Sequence, residues 1–87
     1  MEVKLLEEEK DKLRLEVNDL TFVNILNENI WKQKGIDYAA YDVKHPYTSK
    51  PILVVRSSNP KKSVIDAAER IIEDVKELRR LVKKELK

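Results

Sequence analysis

Few residues of this 87-residue chain could do chemistry, and they are scattered. There is no cysteine, and the single histidine, His45, stands directly before Pro46 in a stretch rich in turn formers, which favours a turn residue over an acid–base catalyst. The three glutamates at 7–9 do not converge on a cation, because neighbouring strand side chains point to opposite faces. One glycine is too few for a glycine-rich phosphate loop. The sequence therefore predicts no catalytic residue, no metal site and no cofactor.

The charge pattern leaves one binding function open. Lysine and arginine number 18 against 16 acids, a net charge of +2, whereas a protein that coats nucleic acid shows a strong basic excess. The last twelve residues are locally basic: Lys76, Arg79, Arg80, Lys83, Lys84 and Lys87. Bases near a helix C-terminus also complement the helix dipole, so we expect a solvated face and no sequence-specific DNA contact. The alternative is a small homodimeric α+β nucleic-acid-binding protein that uses this basic helix.

The elements that must position any site follow the order ββαββα. Alternating patterns predict strands at 2–8, 12–17 and 36–44, and a continuous apolar run predicts a covered strand at 52–55. Helices are predicted from 18–21 to about 34, where Gly35 supplies a stop, and from 60 to 86. The fold class is α+β: one domain over residues 1–87, with a four-stranded antiparallel sheet and two helices. No membrane segment or signal peptide is visible, so a cytoplasmic location is expected.

The last helix is too long for the rest of the chain to cover. At about 1.5 Å per residue it spans roughly 40 Å, whereas a globule of this size is roughly 30 Å across. Its apolar residues keep to one side of the helix, and the first helix has a wide apolar face. We predict that a protein partner covers both surfaces, or that the isolated chain associates with itself. The predicted contact residues are Phe22, Leu26 and Ile30 on the first helix and Ile71, Val75, Leu78 and Val82 on the last.

Two stretches carry a resemblance to a known family. Residues 18–26 lead into the first helix, and residues 38–46 combine a strand with the turn at His45 and Pro46. Together they resemble subunit L of archaeal RNA polymerase over essentially the whole chain. At the helix entry Val17 and Leu20 stand where the family has glycine and histidine. The matching positions are Asp19, Thr21, Asn24, Leu26, Ala39, Ala40, Tyr41, His45 and Pro46.

The resemblance implies a function without chemistry of its own. Members of this family are non-catalytic subunits of DNA-directed RNA polymerase, and nucleotidyl transfer takes place in the large catalytic subunits. They form a heterodimer with a larger alpha-like subunit, called D in archaea, by crossing the first and last helices of each partner. The pair is then the assembly platform for the large subunits. The apolar side of the last helix and the wide apolar face of the first helix are the two surfaces that such a crossing requires.

Overall fold

The computed structural model describes residues 1–43 and 50–86. It contains the predicted ββαββα order and the predicted α+β fold class. His45 and Pro46 lie outside the described residues. The elements are β1 (Val3–Glu8), β2 (Lys12–Val17), α1 (Leu20–Trp31), β3 (Ile36–Asp42), β4 (Ile52–Ser57) and α2 (Pro60–Glu85).

The four strands form one antiparallel sheet in the order β1-β2-β4-β3. Both helices pack on the same face, so the core lies between one helical layer and one sheet layer. One cross-strand row of the core joins Leu13, Val55 and Ala39, all buried. The buried apolar residues are Leu13, Val17, Val23, Ile30, Ala39, Leu53, Val55 and Ala67.

Side-chain caps fix where each helix begins. Asp19 is the N-cap of α1, and its Oδ1 accepts a hydrogen bond from the Phe22 N–H at 3.0 Å. Asn59 caps α2 in the same way, accepting from the Lys62 N–H at 3.1 Å, and Pro60 takes the first helical position. After α1 the chain turns at Gly35, whose φ of 79° is a left-handed conformation that glycine adopts without strain.

The two halves of α2 have different surroundings. In the first half Pro60, Ser63 and Ala67 are buried against the sheet and α1, and Val64 and Ile71 are half-buried. Every residue from 72 to 86 is exposed. The helix has 26 residues, about 39 Å, and the stretch from residue 72 to its end accounts for about 21 Å of that length. The molecule measures 48 × 33 × 16 Å, so this end projects from a thin two-layer body. We call residues 72–86 the overhang.

The apolar run in β4 differs from the expectation that both its faces are covered. Leu53 and Val55 are completely buried under the helices, but Ile52 and Val54 are only half-buried. The reason is that both helices lie on one side of the sheet, and none of the described residues covers the other side.

Candidate partner interface

An apolar groove opens between the two helices at the β1 side of the sheet. Its volume is about 330 Å³, and its floor is formed by strand residues because neither helix covers β1. All the residues that line it are apolar: Met1, Val3, Leu15, Val17, Phe22, Leu26, Val64, Ala68, Ile71 and Ile72. An apolar groove open to water on a small domain is a surface that a partner is expected to cover.

The overhang continues the apolar lining of the groove into solvent. Val75 and Leu78 are 58% and 60% exposed, and Val82 is 44% exposed. Their spacing of three and four places them on the side of α2 that also carries Ile71 in the groove. The groove and the overhang therefore form one apolar strip that leads away from the core.

Six of the seven residues predicted from the sequence for a partner contact lie on this strip. Phe22, Leu26 and Ile71 line the groove, and the other three lie on the overhang. Ile30 is the exception: it is completely buried in the chain's own core and has no surface left for a partner. The expectation for Ile30 is wrong because the wide apolar face of α1 serves two purposes. One side of it, with Val23 and Ile30, packs on the sheet, and the other side faces the groove.

The floor of the groove was not predicted. Val3 on β1 pairs with Val17 on β2, and Leu15 lies on the same face of β2. Period-two alternation did indicate that β1 and β2 each have an apolar face. It could not show that the helices leave this face uncovered, because that depends on where the two helices sit across the four strands.

Two of the family-motif residues meet where α1 packs against β3. The Tyr41 hydroxyl donates to Asn24 Oδ1 at 3.2 Å, which joins the first motif stretch to the second. Ala39 is buried, and its carbonyl accepts from the Trp31 indole N–H at 2.7 Å. Of the other positions, Asp19 is the helix cap, Thr21 is exposed in the first turn, and Ala40 is half-buried on the opposite face of the sheet.

The two departures from the family motif lie on either side of that cap. Val17 is buried and lines the groove floor, whereas Leu20 is 53% exposed at the start of α1. The cap itself is intact, so these departures change the surface near the helix entry and leave the start of the helix in place.

Side chains that could bind a metal do not cluster in the part of the chain that the structure describes. Within residues 1–43 and 50–86, no three histidine or carboxylate side chains come together as metal ligands. Over the same residues no helix is long and apolar enough to cross a membrane. The basic residues from Lys76 to Lys84 lie in the exposed half of α2, and Lys83 and Lys84 occupy the last turn, where they complement the helix dipole.

The comparisons with known proteins point to a single family. The family described as the RNA polymerase Rpb3/Rpb11 dimerisation domain matches residues 12–81. DNA-directed RNA polymerase subunit Rpo11 of Methanothermobacter thermautotrophicus is 33% identical over 82 residues, covering 94% of this chain and 96% of the relative. Subunit Rpo11 of Pyrococcus horikoshii is 31% identical over 85 residues, with 90% of each chain covered.

A solved structure from the same group of proteins has the fold of this chain. The crystal structure of DNA-directed RNA polymerase subunit L from Thermoplasma acidophilum superimposes with a TM-score of 0.85 at 27% identity. The superposition covers 97% of this chain and 87% of that one. The strand order, the two helices and the long last helix are therefore the fold of that subunit.

Proposed function

This chain belongs to the RNA polymerase Rpb3/Rpb11 dimerisation domain family, and we propose that it is a non-catalytic assembly subunit of a DNA-directed RNA polymerase. Its partner is the larger alpha-like polypeptide that is called D in archaea, and the pair is the platform on which the large catalytic subunits assemble. Residues 1–87 act as one dimerisation unit in the cytoplasm. The observation that supports this proposal is the apolar strip, which begins in the groove and continues along the overhang past the chain's own core.

The strip has the character of an obligate interface. Burial of a large aliphatic side chain contributes about 1.5–3 kcal/mol, and the overhang alone exposes several such side chains. Obligate interfaces are more apolar than transient ones, so the apolar lining of the strip favours a permanent partner. The contact residues proposed for the alpha-like partner are Phe22, Leu26, Ile71, Val75, Leu78 and Val82.

The helix crossing explains why both helices contribute to one surface. Phe22 and Leu26 from α1 and Ile71 from α2 face the same groove, so a helix laid into it contacts both at once. The overhang then lies along the partner, and the partner's own long helix lies in turn on this chain. This is the geometry in which each partner completes the core of the other.

The test is heterodimer formation by a variant of the overhang. We expect Val75→Asp with Leu78→Asp to abolish pairing with the alpha-like subunit, because two carboxylates would be buried without partners. Light scattering after size exclusion of the co-expressed chains measures the outcome. Arg80→Asp is the matched control, since it changes the net charge by the same amount but lies on the opposite side of α2 from the strip.

Two results would count against the proposal. One is pairing of nanomolar affinity by the double variant. The other is a wild-type chain that does not bind the alpha-like subunit and elutes from size exclusion as a discrete homodimer. In the second case the basic end of α2 becomes the leading candidate, as a nucleic-acid contact, and its affinity would fall steeply with added salt.

A further inference from the structure

The sheet has a second face, opposite the helices, that nothing in the described chain covers. Strand register arranges its side chains in three cross-strand rows. The first row is Lys12, Arg56 and Tyr38; the second is Glu7, Arg14, Val54 and Ala40; the third is Lys4, Glu16, Ile52 and Asp42. The alternating residues of the same strands, such as Leu13, Leu53 and Val55, are turned to the core. We call this surface the outer sheet face.

One end of the outer sheet face is basic and aromatic. Lys12, Arg14 and Arg56 surround an open hollow together with Val54 and the half-exposed ring of Tyr38. Glu7 partly neutralises two of the bases, with ion pairs of 3.5 Å to Lys12 and 3.4 Å to Arg14. Arg56 has no carboxylate within ion-pair distance in the described part of the chain. Its guanidinium and the tyrosine ring are therefore available to an incoming anionic group.

The other end of the outer sheet face has the opposite sign. Its row holds Glu16 and Asp42 against the single base Lys4, with Ile52 between them. Over the three rows four bases face three acids, so the face is polarised and close to neutral overall. A nucleic-acid backbone is uniformly negative and would meet this acidic end unfavourably. A mainly acidic protein segment fits both ends if its carboxylates meet Arg56 and Lys12 and it carries one base to meet Asp42.

We propose that the outer sheet face docks an acidic protein segment of the polymerase assembly, at a site separate from the helix strip that binds the alpha-like subunit. Carboxylates of that segment lie against Arg56 and Lys12, an apolar side chain lies over Val54 and Tyr38, and a basic residue meets Asp42. This inference rests on the proposed function, because the acidic segment belongs to the RNA polymerase assembly that the proposed function names. It assigns the two sides of this thin chain to two different partners.

The area of the outer sheet face limits how tightly it can bind a partner. Three rows across four strands cover on the order of 300 Å², from the spacings of strands and of residues along them. A stable standard-size complex buries about 800 Å² per partner. The outer sheet face alone is therefore too small to hold a partner tightly. It adds selectivity to an assembly that the helix strip already holds together.

A photocrosslinking residue placed in the assembled enzyme tests the proposal. Tyr38→p-benzoylphenylalanine is introduced into the chain, the whole polymerase is reconstituted or isolated, and the cross-linked products are identified by mass spectrometry. We expect a cross-link to an acidic segment of a protein subunit other than the alpha-like partner. A cross-link to nucleic acid, to the alpha-like subunit or to nothing would overturn the proposal, and this readout does not depend on whether pairing occurs as proposed.

A charge reversal provides the second measurement. Lys12→Glu with Arg56→Glu should leave the heterodimer intact and weaken recruitment of the remaining subunits at least tenfold. Lys34→Glu with Lys61→Glu changes the charge equally at exposed positions away from the outer sheet face, and it should leave both the heterodimer and the recruitment of the remaining subunits unchanged. Recruitment unchanged by the first pair would contradict the docking site. Absence of the heterodimer in the wild-type control would instead count against the proposed function.

Discussion

At the scale of single residues, three neighbouring polar side chains at the start of α1 have separate roles. Asp19 caps the helix, and Asn18 accepts a 2.6 Å hydrogen bond from the Glu2 N–H, which ties the start of β1 to the end of β2. Thr21 is exposed in the first turn and does not cap. The sequence showed that a cap lies among these residues, but all three types cap helices, so it could not show which one does.

This division of roles leads to a stability prediction. Asp19→Ala should lower the free energy of unfolding by about 1 kcal/mol, the usual loss for an N-cap, because the Phe22 N–H is left without its acceptor. Thr21→Ala should change the free energy of unfolding by less than about 0.5 kcal/mol, as exposed substitutions usually do. Urea unfolding followed by far-UV circular dichroism compares the two variants. Equal losses would show that Asp19 is not the cap.

The carboxyl group of Glu7 gives a prediction about pH. A hydrogen bond with Glu9, together with the nearby Arg14 and Lys12, holds the pKa of Glu7 below its ordinary value, although partial desolvation opposes this. A carboxyl whose pKa is lowered on folding stabilises the folded state above its unfolded-state pKa, and that contribution is lost as the pH falls through the folded-state pKa. In a carbon-13 NMR titration, Arg14→Gln should therefore raise the Glu7 midpoint. An unchanged midpoint would contradict the ion pair.

At the scale of elements, the two halves of α2 have different roles. The first half packs in the chain's own core, and the second half is exposed and available to a partner. A chain ending at Glu73 retains Pro60, Ser63 and Ala67 in the core but lacks most of the overhang. We expect it to keep the sheet and α1, and to lose at least 100-fold in affinity for the alpha-like subunit. Calorimetric titration measures the affinity, and circular dichroism checks the fold. Full affinity in the shortened chain would show that the overhang is not part of the contact.

Periodicity predicted the elements well and their surroundings less well. The four-and-three spacing along α2 indicated both the helix and its apolar side, because that spacing depends only on the helical repeat. The complete burial of Ile30, the exposure of Val3 and the partial burial of Leu15 could not be predicted in the same way. Both depend on the position of two helices across four strands. The outer sheet face likewise required the register, since it places Arg56 beside Lys12 and Tyr38 across three strands.

At the scale of the whole molecule, the 16 Å thickness means that a two-layer body can have partners on both sides. The two sides differ in chemistry: the helix strip is apolar, and the outer sheet face is charged with an apolar centre. Added salt screens charges and leaves apolar burial largely unaffected. Pairing through the strip should therefore withstand high salt, whereas docking on the outer sheet face should weaken. The order in which subunits dissociate as salt is raised thus separates the two contacts.

When the chain is isolated from the alpha-like subunit, the apolar strip has no partner to cover it. Because large apolar side chains remain in water along the groove and the overhang, we expect the purified chain to self-associate with rising concentration. Sedimentation velocity from about 1 to 100 μM detects self-association with dissociation constants in the micromolar range, about −8 kcal/mol at 1 μM. Adding the alpha-like subunit should convert every self-associated species into a one-to-one pair, because both associations use the same surface. The variant Val75→Asp with Leu78→Asp should remain monomeric over that range. A wild-type chain that stays monomeric at every concentration would show that the apolar strip does not drive association.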